Sequence, residues 1–304
     1  MNIIKKIFRR RVKPLHILEY LIFWILVFLV RLLPLHYVHR AGFLLARIFS
    51  PLLKSRKRVA IENLSYAFPE WSASKKEKIA DQSLQNIAAT FVELLWQKKF
   101  KPEDIKKRVR IKNFELFKKI YSRNKGVIFL TAHFGSWELA IQSLIVYSSI
   151  PVYAIVRQQS NALIDRVITK WREMFGGKVI PAGIAVRKII QTLHSRGVVA
   201  IIADQSAPKE SISVEFFGRE VPTYEGPAVF SLKTGAPIIF GCTVRQPDGN
   251  YVMNLVEIPT DDLKGYTPGN MLELTKRQVK ITENIIRQHP EQWMWMHKRW
   301  KHAK

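Results

Sequence analysis

The sequence of 304 residues contains a single cysteine, Cys242, and few acidic side chains. One cysteine excludes an internal disulfide, which is consistent with a reducing compartment. The 24 aspartates and glutamates are outnumbered by 49 lysines and arginines, so the net charge is +25. Such an excess of positive charge predicts an anionic partner: a nucleic acid, an anionic membrane or a phosphorylated substrate.

Several common functional motifs are also missing. The chain has no zinc-finger spacing, no aromatic RNA-recognition signature and no heptad-linked basic region, which argues against nucleic acid as the partner. Neither a G-x-S-x-G elbow nor an H-E-x-x-H motif occurs, which weakens the hypotheses of a serine hydrolase and of a metalloenzyme. We therefore predict no metal and no cofactor. Repeats and low-complexity linkers are absent, and 47% hydrophobic residues allow a sizeable core.

What the sequence does have is a basic start followed by a long apolar run. Residues 1–13 carry six lysines and arginines and no acid, and the sequence from Tyr20 to Val30 is apolar without a break. At about 1.5 Å per residue, a helix over 15–35 roughly matches the bilayer core. A cleaved signal peptide would need a small-x-small cleavage site, which is missing here. We predict an uncleaved membrane anchor with its basic end in the cytoplasm, and keep a buried core helix as the alternative.

Further basic clusters lie at 54–58, at 98–112 and at the C-terminus. Beside an apolar anchor, each exposed lysine or arginine could add roughly 1 kcal/mol of attraction to an anionic leaflet. Anionic membrane lipids are therefore the predicted partners of this charge.

The pattern changes along the chain. Residues 36–125 read mainly as helices, with a capping box expected at Ser74 and Glu77. From residue 126 onwards, β-rich runs such as 127–131, 151–156 and 198–204 alternate with helical patterns, and "PDGN" at 247–250 predicts a hairpin. We predict an α/β fold with two parts: the anchor segment 1–35, and a domain 36–304 with a helical lead-in (36–125) and an α/β core (126–304).

The stretch "TAHFGSWE" joins a predicted strand to a predicted helix. His133 would follow the carboxyl end of the strand, the edge where open α/β sheets bind ligands. Ser136 would be the N-cap, which places Glu138 in the first helical turn. A carboxylate there could orient the imidazole for general-base catalysis on a substrate hydroxyl. A metal site would need further ligands, and an ordinary surface histidine beside a helix cap is the third possibility.

Several blocks of sequence resemble the bacterial lipid A biosynthesis acyltransferases, the lauroyl and myristoyl transferase family. "HFGSWE" is similar to the H-x4-D/E motif of glycerolipid-type acyltransferases, and the early "RVAIENLSYAFPE" is similar as well. The other blocks follow in order: "PVYAIVRQQSNALID", "IIADQS", "VEFFGREVPTYEGPAVFSLKTGAPIIFG" and "HPEQWMWMHKRWK". The resemblance therefore covers nearly the whole chain and implies an acyltransferase-type sheet flanked by helices.

The resemblance also implies an activity. The chain would be an acyltransferase, transferring groups other than amino-acyl, that moves a fatty acyl group from acyl carrier protein to a hydroxyl of a lipid A precursor at the cytoplasmic face of the inner membrane. His133 would be the base and Glu138 would orient it. The candidate substrate-binding residues are Arg157, Asn161, Asp204 and Gln205. The alternatives are acylation of another glycolipid, such as a phosphatidylinositol mannoside, and a non-catalytic protein that binds membranes or nucleic acid.

The C-terminal block is rich in aromatic residues. Trp293, Trp295 and Trp300 could belong to the core or to a belt at the membrane interface. The alternating pattern favours a final strand or irregular segment near the membrane. We predict a structural rather than a catalytic role for His297.

Overall fold

A computed structural model describes residues 13–182 and 185–303. Residues 1–12 of the basic start predicted at 1–13 lie outside the described residues. The helices are α1 (Pro14–Leu32), α2 (Leu35–Ile48), α3 (Lys54–Ala67), α4 (Ala73–Trp96), α5 (Pro102–Arg108), α6 (Phe114–Tyr121), α7 (Trp137–Ser148), α8 (Ala162–Arg172), α9 (Ala185–His194), α10 (Gly226–Thr234) and α11 (Pro268–Gln288). The strands are β1 (Val109–Ile111), β2 (Val127–Thr131), β3 (Val152–Val156), β4 (Lys178–Pro181), β5 (Val198–Ile202), β6 (Ser213–Phe216), β7 (Arg219–Pro222), β8 (Ile238–Arg245) and β9 (Tyr251–Ile258).

Seven strands form one sheet in the order β1-β9-β8-β2-β5-β3-β4. Every neighbouring pair is parallel except β8 and β9, which form the hairpin that "PDGN" predicts. Side chains of β2 alternate between the two faces: Ile128 belongs to the cluster with α9 and α11, and Phe129 to the cluster with α6 and α7. A parallel sheet must be covered on both faces, so the α/β prediction with flanking helices is confirmed.

The lead-in differs from the prediction in two details. It contains a strand, β1, which pairs with β9 and extends the sheet. The N-cap of α4 is Ser72 rather than Ser74, since the Ser72 side chain accepts a hydrogen bond from the Lys75 backbone N–H. The signal was ambiguous because serines occur at both positions and either hydroxyl could cap the helix.

Helix α1 has the apolar composition of a membrane helix, and its outer face consists of exposed apolar side chains. Within residues 13–182 and 185–303, it is the one helix long and apolar enough to cross a membrane. Its outer face exposes ten large apolar side chains: Leu15, Ile17, Leu18, Leu21, Ile22, Ile25, Leu26, Phe28, Leu29 and Leu32. An exposed apolar patch of this size on a water-soluble protein would be unusual, and it marks a surface that meets a membrane or another protein.

The inner face of α1 packs against the rest of the chain. Phe23, Val27 and Val30 are buried against α4 and α8. Polar contacts fix both ends: Asn161 donates to the His16 carbonyl (2.8 Å), and Arg31 donates to the Leu95 carbonyl (3.3 Å). The helix therefore lies alongside the domain, with one apolar face exposed and the other packed into the core.

Candidate active site

His133 and Asp204 meet because of the register between β2 and β5. These parallel strands pair Thr131 with Ile202 at their carboxyl ends. Two residues beyond each of these positions stand His133 and Asp204, so the two side chains leave the sheet at the same level. The imidazole Nδ1 lies 2.8 Å from Oδ1 of Asp204. The sheet edge predicted for both residues is thus the place where they form a direct pair.

The carboxylate of Asp204 is almost completely enclosed and fully hydrogen-bonded. Its side chain is 3% exposed. Oδ2 accepts from the His133 backbone N–H (2.9 Å) and from the Trp293 indole N–H (2.8 Å). Burial alone would raise the pKa of Asp204, but the nearby His133 and these hydrogen bonds hold the pKa below its usual value. Asp204 is therefore an ionised carboxylate that can only accept hydrogen bonds, and the hydrogen between it and His133 is carried by Nδ1.

This tautomer leaves Nε2 of His133 as a proton acceptor. Nε2 points away from Asp204 and lies 3.5 Å from the amide nitrogen of Gln205. His133 also lines a cavity of about 680 Å³, which we call the sheet cavity. Its walls are mostly apolar and include Ile141, Ile145 and Val152. A base with a carboxylate behind it, facing an apolar cavity, suits proton abstraction from a hydroxyl on a lipid.

The contact predicted between Glu138 and the imidazole is not the one that the structure forms. Glu138 lies in the first turn of α7 as predicted, but its carboxylate turns to Arg172 of α8, whose Nε lies 3.1 Å from both Oε1 and Oε2. Burial alone would lower the pKa of Arg172, but the charge of Glu138 and its hydrogen bonds raise it. The physical reason is charge: a mostly buried guanidinium needs a carboxylate, while the imidazole already has one in Asp204.

We expect Glu138→Gln to remove the ion pair with Arg172 and to destabilise this side of the sheet cavity. It should lower the free energy of unfolding by about 2 kcal/mol, because a mostly buried guanidinium loses its partner. Turnover should fall only about tenfold, since the pair of His133 and Asp204 stays intact. Thermal unfolding and initial rates measure both effects. Glu115→Gln, at an exposed pair with Lys118, is the matched control and should change neither.

The turn between His133 and α7 requires a glycine. Gly135 has φ = +54°, and a Cβ there would lie 1.8 Å from the Thr243 carbonyl oxygen. Its own N–H donates to the Gln292 carbonyl (3.0 Å), and its carbonyl accepts from the Thr90 hydroxyl (2.7 Å). Ser136 occupies the N-cap position of α7 as predicted, but its side chain makes no capping hydrogen bond. The hydroxyl is buried with no hydrogen-bond partner in the described part of the chain, and the backbone N–H donates to the Thr243 hydroxyl (3.1 Å).

A buried cluster of charges supports this turn from behind. Glu93 of α4 binds Arg245 and Arg108, each at 2.7 Å, and accepts from the Tyr251 hydroxyl at 2.6 Å. Burial alone would raise the pKa of Glu93, but the two arginines lower it to about 2. The Arg245 backbone N–H donates to the side chain of Gln292 (2.7 Å), the residue that binds Gly135. The cluster therefore fixes the segment that holds the histidine turn.

The structure places the predicted substrate-binding residues in different environments. Arg157 follows β3, is exposed, and lines the sheet cavity together with Gln205. Asn161 is instead the buried N-cap of α8, whose side chain accepts from the Leu163 and Ile164 backbone N–H groups and donates to α1. Its hydrogen-bonding groups are thus occupied by the fold, which contradicts a substrate-binding role. An asparagine directly before a helical pattern is a strong cap signal that could have revealed this.

Two residues that contact the site carry no site role predicted from the sequence. Arg172 lies within a predicted helix, where nothing local marks it as the partner of Glu138. Trp293 is in the C-terminal block, and its ring is buried like those of Trp295 and Trp300. The core interpretation of these rings is therefore correct. His297 accepts a hydrogen bond from the Ser206 backbone N–H (3.1 Å), which favours the structural role predicted for it.

Comparison with known proteins points to one kind of enzyme. A sequence model described as bacterial lipid A biosynthesis acyltransferase matches residues 6–302. The chain is 28% identical over 256 residues to a lipid A biosynthesis palmitoleoyltransferase of Escherichia coli K12, covering 83% of this chain and 80% of the relative. It is 25% identical over 281 residues to a lipid A biosynthesis lauroyltransferase of the same organism, covering 90% and 89%.

A relative with a different printed substrate matches over a shorter length. A phosphatidylinositol mannoside acyltransferase of Mycobacterium tuberculosis is 23% identical over 180 residues, covering 58% of this chain and 54% of the relative. All three relatives are named acyltransferases, which confirms the predicted class of enzyme.

Proposed function

Since the chain belongs to the bacterial lipid A biosynthesis acyltransferase family, we propose that it moves a fatty acyl group from acyl carrier protein to a hydroxyl of a lipid A precursor. The observation that carries the proposal is the base of the site: a histidine with one nitrogen fixed by a buried carboxylate and the other facing an apolar cavity. A lipid hydroxyl is the acceptor that this combination fits.

His133 is the general base in this proposal, and Asp204 takes the orienting role first assigned to Glu138. Nε2 accepts the proton of the acceptor hydroxyl as the oxygen attacks the thioester carbonyl. The ionised Asp204 holds the hydrogen on Nδ1 and stabilises the imidazolium that forms. Glu138 acts one step away, because its ion pair with Arg172 fixes the wall of the cavity beside the histidine.

The tetrahedral intermediate then collapses. The new C–O ester bond stays, the C–S bond breaks, and the imidazolium returns its proton to the leaving thiolate. No serine or cysteine nucleophile of this chain is needed, since the acceptor supplies the attacking oxygen. We assign to Arg157 the binding of a phosphate or of negative charge developing on the substrate, because it is an exposed guanidinium on the wall of the sheet cavity. Gln205 contacts substrate beside Nε2.

The proposed place of action is the cytoplasmic face of the inner membrane. An apolar α1 and a net charge of +25 support attachment to anionic lipids. The donor is soluble and approaches from the cytoplasm, whereas the acceptor is a lipid held in the bilayer. An enzyme that joins them works at the boundary between the two.

Mass spectrometry of lipids tests the proposal. The full chain in phospholipid vesicles receives a mixed pool of acyl carrier protein thioesters together with a lipid A precursor and, in a separate arm, a phosphatidylinositol mannoside. We expect the lipid A precursor to gain the mass of one acyl chain. Acylation of the mannoside alone would overturn the acceptor assignment in favour of the substrate named for the Mycobacterium tuberculosis relative, and no acylated lipid in either arm would overturn both the acceptor and the activity.

A further inference from the structure

A second cavity reaches His133 from the side of the N-terminal helix. It has a volume of about 450 Å³, and we call it the anchor-side cavity. Phe23 of α1 forms one wall and stacks on Trp171, with ring centroids 5.6 Å apart. The remaining apolar walls come from α4, α8 and the C-terminal segment: Phe91, Leu94, Leu95, Ile164, Ile168 and Met294.

The two cavities meet at the catalytic histidine. Both are lined by His133, Trp137 and the ion pair of Glu138 with Arg172. Beyond this shared region they diverge, since the sheet cavity continues along β3 and β5 while the anchor-side cavity continues towards α1. Acyl transfer to a lipid needs room for two apolar chains on opposite sides of the base, one on the thioester and one on the acceptor.

The surroundings differ in a way that separates the two ligands. Phe23, on the inner face of α1, lines the anchor-side cavity. The outer face of the same helix exposes large apolar side chains. Phe91, another of its walls, is 54% exposed although it is a large apolar side chain. A ligand that enters here passes along apolar surface, which suits a chain arriving from the bilayer. The sheet cavity has the exposed guanidinium of Arg157 on its wall, which suits a charged, water-borne donor.

We propose that the anchor-side cavity binds an acyl chain of the lipid acceptor, with Phe23 as a specificity-determining wall. The inference rests on the proposed acyl transfer and adds a role for α1: the helix that attaches the protein to the membrane is also part of the acceptor site. The sheet cavity then receives the chain that is transferred. Helix α1 is held in place for this by Asn161, which donates to the His16 carbonyl and to the Glu19 carboxylate, each at 2.8 Å.

Matched tryptophan substitutions on the two faces of α1 test this. Phe23→Trp places a larger ring in the wall of the anchor-side cavity and so narrows it. Phe28→Trp makes the same change on the outer face of α1, where Phe28 is 63% exposed. For Phe23→Trp in vesicles, we expect the acceptor KM to rise about tenfold and the donor KM to stay within about twofold, since one apolar group in a pocket discriminates by this order. Phe28→Trp should change neither constant.

Two other results of the Phe23→Trp measurement would contradict the proposal. A donor KM that rises with Phe23→Trp would place the transferred chain in this cavity, and unchanged constants would show that no substrate chain uses it. Either result overturns the proposal.

A second measurement covers the case in which Phe23→Trp unfolds. The wild-type chain is crosslinked to a lipid A precursor bearing a photoreactive acyl tail, without donor. We expect the label on peptides containing Phe23, Leu94 or Ile168, and a label confined to Ile141 and Ile145 would overturn the assignment. Because no donor is present, this result is independent of whether transfer occurs.

Discussion

His133→Ala is expected to lower kcat for acyl transfer by about a thousandfold, the usual contribution of a well-placed general base. Nε2 is the proton acceptor that the Asp204 contact leaves available, and among the described residues that line both cavities the other candidate base, Glu138, is held in its ion pair with Arg172. Alanine also removes the ring without adding bulk, so substrate access is kept. Initial rates at saturating thioester and acceptor measure the effect.

The control must separate chemistry from folding. His194→Ala removes an exposed histidine at the end of α9, away from both cavities, and should keep full turnover. The His133→Ala protein should sediment with vesicles as the wild type does, because α1 is untouched. Turnover near the wild-type level in a folded His133→Ala protein would refute the base assignment.

Asp204→Asn is expected to lower kcat by a comparable factor, about a thousandfold, with almost no change of shape. An amide in place of the carboxylate can donate a hydrogen to Nδ1, which stabilises the tautomer whose Nε2 is protonated and cannot act as a base. The imidazolium formed during attack also loses its counter-charge. The Trp293 indole can still donate to the amide oxygen, so the local packing survives.

The pH dependence distinguishes this role from a merely structural one. The nearby His133 and the hydrogen bonds to the carboxylate hold the pKa of Asp204 below its usual value, so its protonation should add no acidic limb to the kcat/KM profile within or above the usual range of an aspartate. Below the folded pKa of Asp204, the contribution of its ion pair to stability is lost.

The matched control for Asp204→Asn is Asp262→Asn, which removes a carboxylate from an exposed pair with Arg277. If Glu138→Gln were the slower of the two variants, Glu138 rather than Asp204 would be the orienting residue.

The sequence predicts the position of the histidine but not its partner. A β-rich run followed by "TAHFGSWE" is enough to place His133 at a carboxyl strand end, because that pattern is local. The choice between Glu138, five residues away, and Asp204, 71 residues away, depends on strand register. Register is a property of the assembled sheet, so local spacing favours the wrong carboxylate.

The same distinction explains the other differences. Asn161 looks like a substrate contact because it follows Arg157 in a familiar block, yet its contact with α1 joins elements 142 residues or more apart in the chain. The hairpin of β8 and β9 was predictable because its turn residues are adjacent. Arg172 was not, since a buried arginine on a helix has no signature until its carboxylate is seen.

The C-terminal segment has a consequence for the order in which the protein is made. The Met294 backbone N–H donates to the His133 carbonyl (3.1 Å), and Trp293 binds Asp204. On the ribosome, α1 emerges well before Trp293 and Met294. A growing chain can therefore reach the membrane long before it can hold its histidine in place. In the proposed mechanism, translation that stops after α11 would yield a chain that carries α1 but lacks the contacts of Trp293 and Met294 with Asp204 and His133, so we expect activity only from chains synthesised past residue 294.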